Sequence, residues 1–113
     1  MNTLTLDGWC KPQGAPKSMP IGMIHFRISE QDHLKMEQLE DKLQNSSDRD
    51  VMLPLDINQL ELKTPDDCGP LSDCQARVYI SPNSGRGQFH LVGHRASDGS
   101  LVYTNAVMVD QLG

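Results

Sequence analysis

With 113 residues, the chain holds enough material for one hydrophobic core and too little for two. Hydrophobic residues make up 37%, charged residues 22% and aromatics 4%, which excludes collagen, disulfide-dense toxins and wholly disordered chains and leaves a thin core of Leu, Ile, Val and Met. Fifteen acids against ten bases give a formal net charge of −5, which argues against a protein that coats duplex nucleic acid with its whole surface. No stretch approaches the roughly 18 consecutive apolar residues of a membrane span, and Met1 to Asp7, MNTLTLD, lacks the basic start and apolar run of a secretory signal. Three cysteines without an export signal point to reduced thiols in a cytoplasmic protein, while the turn residues of Cys68-Gly-Pro-Leu-Ser-Asp-Cys74 leave a closed loop geometrically open.

Thr3 to Leu6 reads as a short edge strand, and 8–20, with Pro12, Gly14, Pro16 and Pro20, reads as a loop or arm. That arm carries the lone Trp9, a ring that either folds back on the core or docks on a partner. Ile24, Phe26 and Ile28 then alternate with Met23, His25 and Arg27, the period of a strand with one buried face. Ser29, with Asp32 three residues on, opens a helix predicted over 29–45. Met36, Leu39 and Leu43, with Leu34 beside them, form its narrow inward stripe, and Glu37, Glu40 and Asp41 against Lys35 and Lys42 make the outer side mildly acidic.

From Val51 to Leu62 the apolar residues sit first at odd positions (Leu53, Leu55, Ile57) and then at even ones (Leu60, Leu62). This slip of phase predicts a bulge or turn between two short strands, and Pro54 puts the first of them at an edge. Thr64 to Asp73 reads as a loop. The C-terminal part predicts a meander of strands over 75–80, 88–94 and 101–109, joined by the turn-rich segments 81–87 and 96–100. Val78, Ile80, Phe89 and Leu91 give its buried face; Arg77, Tyr79, His90 and His94, with Val92 among them, project from the other. The fold class is α+β: a single domain over 1–113, mainly an antiparallel sheet of about five or six strands with one helix packed on it.

Three constellations bear on chemistry. From Cys74 to Ser97 there is no acid, while Arg77, Arg86 and Arg95 give the stretch +3 and leave −8 on the remainder. Beside Tyr79, His90 and His94, this is a sparse form of the basic, aromatic face on which single-stranded nucleic acid stacks at roughly 1–3 kcal/mol per base. Cys68-x5-Cys74-x15-His90-x3-His94 has the ligand types of a zinc finger, but four residues of strand span about 13 Å, so a kink at Gly93 would be needed to bring the histidines to one ion. Cys10, Cys68 and Cys74 lie in loop segments of a chain with four histidines, without a nucleophile elbow, phosphate loop, dinucleotide fingerprint or HExxH motif. Ser84-Gly85-Arg86-Gly87 has the glycines and guanidinium of an anion cradle, and equally those of a hairpin turn.

The sequence therefore predicts a small cytoplasmic interaction or regulatory protein without a cofactor. It binds a protein partner, or its own copy as a homodimer through an edge strand, by an exposed sheet face or edge carrying Arg77, Tyr79, Arg86, His90, His94, Arg95 and Trp9. A weak single-stranded nucleic-acid binder using residues 74–97 is the first alternative. The second is a Cys/His-dependent enzyme or a zinc-binding protein with Cys68, Cys74, His90 and His94 as ligands. No membrane partner is expected.

Overall fold

Buried and exposed residues alternate along the long strands, so a single sheet carries the core on one of its faces. The computed structural model describes residues 3–112. Its elements are β1 (Thr3–Lys11), β2 (Met19–Arg27), α1 (Glu30–Gln44), β3 (Asp50–Pro54), β4 (Leu71–Ile80), β5 (Gly87–Arg95), β6 (Leu101–Thr104), β7 (Val107–Met108) and a 3-10 turn, Val109–Leu112. All pairings are antiparallel and the strand order is β2-β1-β6-β5-β4-β3, with β7 pairing β5 beyond the end of β6. The architecture is α+β, one helix on a mainly antiparallel sheet.

Two covers close the inner face. α1 starts where Ser29 accepts a hydrogen bond from the Asp32 amide at 3.1 Å, with Glu30 and Asp32 in the first turn where the helix dipole favours them. It buries Met36 and Leu43 over the β3 and β4 side, while Leu34 stays in water. Glu40 accepts from the Gly87 amide and Gln44 donates to the Gly85 carbonyl at 2.7 Å, so the helix also holds the turn between β4 and β5. The segment 55–70 covers the other half, bringing Leu60 and Cys68 into the core and Leu62 against Ile24, Leu91 and Val102.

The structure redraws several boundaries. The stretch 8–20 contributes Gly8–Lys11 to β1 and Met19–Pro20 to β2, leaving only 12–18 as a loop. β1 is consequently an interior strand between β2 and β6, not an edge. The phase slip after Ile57 is a turn with Glu61 at φ 49°, and no second strand follows; Lys63 instead makes one bridge to His25. The last predicted strand is broken at Asn105–Ala106 into β6 and β7. There Thr104 turns its hydroxyl inward to accept from the Leu91 amide at 3.0 Å.

Both ends of the sheet are blunted. The Leu55 amide donates to the Cys74 carbonyl at 3.1 Å, so amides at odd positions of β3 face β4 and those of Asp50, Met52 and Pro54 face outward, where proline has no N–H. On β2, the amides of His25 and Arg27 are taken by the carbonyls of Lys63 and Leu60 at 3.0 and 2.8 Å. The uncovered half contains Pro20 and Gly22, the latter at φ 101°, which interrupts an extended edge.

Gly93 marks a close approach. Beside the bulge between Leu71 and Asp73, the Asp73 carbonyl oxygen stands inside van der Waals contact of where a Cβ on Gly93 would be, and a backbone atom cannot swing aside. Gly93→Ala is expected to lower stability by about 1–3 kcal/mol in urea unfolding monitored by Trp9 fluorescence, as overpacking does.

Candidate functional site

Outward residues of neighbouring strands stand opposite one another, so the register assembles rows across the sheet. One row takes a single residue from each of the six strands in the path: Pro54, Gln75, Val92, Tyr103, Trp9 and Pro20. At about 4.8 Å between strands it is roughly 24 Å long. None of its members is charged. The Trp9 and Tyr103 rings stack with centroids 5.9 Å apart and planes 17° off parallel, a pairing that contributes about 0.5–1.5 kcal/mol beyond its burial. Both rings are half-buried, and Met23 and Met52, 48% and 41% exposed, border the row on β2 and β3.

Several charged groups on the adjoining rows are paired. Arg77 donates from Nε to Asp50 at 2.8 Å, and its guanidinium lies 4.7 Å over the Tyr79 ring. Tyr79 donates to Gln88 Oε1 at 3.0 Å and meets the His90 ring edge-on at 6.2 Å. His94 Nδ1 lies 3.0 Å from Asp73. His90 Nδ1 lies 3.2 Å from the Thr104 carbonyl at the break between β6 and β7, while Nε2 is buried without a partner. Burial pushes the His90 imidazole below its ordinary value; the Thr104 carbonyl opposes the shift and Arg77 reinforces it.

Five of the seven surface residues read from the sequence share this face: Trp9, Arg77, Tyr79, His90 and His94. Arg86 sits in the turn between β4 and β5, 3.4 Å from Asp110. Arg95 has the register of the inward side and binds Asp98 through two hydrogen bonds of 2.9 and 2.6 Å. That contact, with Ser100 assisting, holds the Asp98 carboxyl well below the usual carboxylate range. Each arginine of the acid-free stretch thus has a carboxylate from outside it, Asp50, Asp98 or Asp110, and in space the stretch is not a cationic surface.

The four residues with zinc-ligand spacing do not converge. Cys74 is buried on the core side opposite Gly93, and Cys68 is buried in the turn after Pro65, whereas His90 and His94 project from the outer face. Among the described residues no group of three or more His, Cys, Asp or Glu side chains is arranged around a common point. Cys10, Cys68 and Cys74 are free, buried thiols, and Cys10 and Cys74 lie in β1 and β4 instead of loops. Burial raises the Cys68 thiol and pushes Cys74 up to about 12, so neither supplies a thiolate near neutral pH.

An open groove of about 710 Å³ lies where the end of α1 meets β4, with Leu43 and Ile80 beside Tyr79 and the cations Arg49 and Arg77. Asp48 also lines it and Asp50 binds Arg77, so the groove has no excess of positive charge. Among the described residues no helix is long and apolar enough to cross a membrane. No family model, curated protein or solved structure matches the chain.

The stack of Trp9 on Tyr103 is what a residue-by-residue reading misses. Its signal lies in β1, where Leu6 and Cys10 are buried and Thr5, Asp7, Trp9 and Lys11 alternate with them, a period that continues through Gly8.

Two measurements test this description. The unfolded chain takes up a proton near the ordinary imidazole value of 6.5 that folded His90 resists, so stability present above that value is lost as the pH falls below it. Urea midpoints should fall from about pH 7 to about pH 5, and less steeply in His90→Gln. A thiol reagent at mildly alkaline pH should label the unfolded chain rapidly and the native chain only at the rate of unfolding; prompt labelling of native Cys74 would contradict its burial.

Proposed function

We propose that the chain is an interaction protein that holds a protein partner on the outer face of its sheet. The observation that carries this reading is the uncharged row with Trp9 stacked on Tyr103, on a face that no element of the described chain covers. Interface centres are enriched in Trp, Tyr and Met and depleted in charge, and the pairs Asp50–Arg77 and Asp73–His94 supply the polar surround that such centres have. The blunted ends favour the face over the edges, since Pro54 offers no donor and Lys63 and Leu60 occupy part of β2.

A nucleic-acid ligand is less favoured on this geometry. Phosphates are held by cations that displace the counterions condensed on the nucleic acid, and Arg77, Arg86 and Arg95 are each engaged by a carboxylate. Covalent chemistry on Cys68 or Cys74 is less favoured for a related reason: burial keeps both thiols protonated near neutral pH.

The test is capture by immobilised protein with quantitation of each retained species. A genuine partner is retained by the wild type and by Leu34→Ala, whose side chain is exposed on the helix, and its affinity falls about tenfold or more with Trp9→Ala and with Tyr103→Ala. Equal retention by all four proteins would overturn the reading. So would tight binding of a single-stranded oligonucleotide that weakens steeply with added salt.

A further inference from the structure

We infer that the occupant of this face is a second copy of the same chain, packed sheet to sheet about a two-fold axis; the inference rests on the interaction reading above. Charge is the first argument. The outward side of the sheet carries three carboxylates, Asp7, Asp50 and Asp73, and three cations, Lys11, Arg27 and Arg77, which cancel. The whole formal charge of −5 therefore lies on the remaining surface, including the outer side of α1. Two copies repel wherever those acidic surfaces face each other, and the sheet side is where they meet without that cost. A basic partner, by contrast, is drawn to the helix side.

Size and shape agree. The chain is a slab with Cα extents of 40 × 31 × 19 Å, so a broad side exceeds the roughly 800 Å² per partner that a standard interface buries. A two-fold axis requires a patch that can face its own copy, and a row without charged members meets that requirement electrostatically. Val92 and Tyr103 are the middle two of its six members, so the axis passes near them and the small Val92 side chain of one copy faces the same region of the other. Sheets stacked in this way sit about 10 Å apart. The blunted edges redirect the association expected of an edge strand to the face.

Sedimentation equilibrium of the full chain over a range of concentrations tests the inference, with Val92→Glu and Val92→Lys as variants. Val92 is half-buried and outward, so either replacement reaches water in a monomer, and circular dichroism melting checks that both remain folded. The wild type should pass from 12.6 kDa to twice that mass as concentration rises. Each charged variant alone should stay at 12.6 kDa, because like charges then meet near the axis, and an equimolar mixture of the two should recover the doubled mass. A wild type that stays monomeric, variants that both dimerise, or a folded mixture that remains monomeric would each overturn the two-fold packing. Capture with Trp9→Ala separates the two readings: retention of another protein that this change abolishes keeps the interaction face while the self-association fails.

Discussion

A sheet of six strands in one path has an inner face that must leave water, and this chain has one helix with which to cover it. α1 spans only the β3 and β4 side, so 55–70, a stretch without regular secondary structure of its own, is drawn across the rest, inserting Leu60 and Cys68 and placing Leu62 over Ile24 and Val102. Once both covers are spent, no described element is left for the outer face. That imbalance fixes the character of the molecule: the outer side has to be tolerable to water while still carrying the side chains that alternation sends there.

The outer side meets this demand by neutralisation, not by high charge. Arg77 faces Asp50 on the neighbouring strand, Arg27 lies 3.5 Å from Glu61 in the turn beside β2, and the aromatic pair shields its own apolar surface by stacking. Charge counted along the chain and charge present in space therefore diverge. The stretch from Cys74 to Ser97 is basic as a string, but antiparallel pairing sets Asp50 beside Arg77, the chain terminus sets Asp110 beside Arg86, and the hairpin turn sets Asp98 beside Arg95. These exposed pairs contribute little to stability singly. Their effect is on recognition, because a guanidinium already engaged has less to offer a phosphate.

What the sequence made legible follows from periodicity. The β4 and β5 alternation and the helix from its Ser29 cap are local patterns: on the strands Val78 and Phe89 lie inside and Arg77, Tyr79 and His90 outside as read, while on the helix Met36 and Leu43 are buried and Leu34 is exposed. The errors came where a residue was read for its own preference. Gly8 and Pro20 suggested a loop, although glycine fits beneath Ile24 in a strand and a proline tolerates the unpaired edge of β2. The zinc-like spacing failed for a complementary reason: the separation between residues of different strands does not say whether they share a face, and Cys74 on β4 and His94 on β5 face opposite ways. The transverse row was not legible, because it joins residues as distant as Trp9 and Tyr103 through pairings that only the register supplies.

On the two-fold packing proposed above, the blunted edges and the neutral face act together. An open edge strand pairs with a neighbour and leaves another edge exposed, so growth continues, whereas a self-complementary face is consumed when two copies meet and growth stops there. Pro54 removes a donor at one end of the sheet, and the bridge from Lys63 to His25 with the break at Gly22 limits the other. Association in that packing would be confined to the broad side, where charge cancels and the rings are already paired. The second copy would then be the layer over the outer face that no described element supplies.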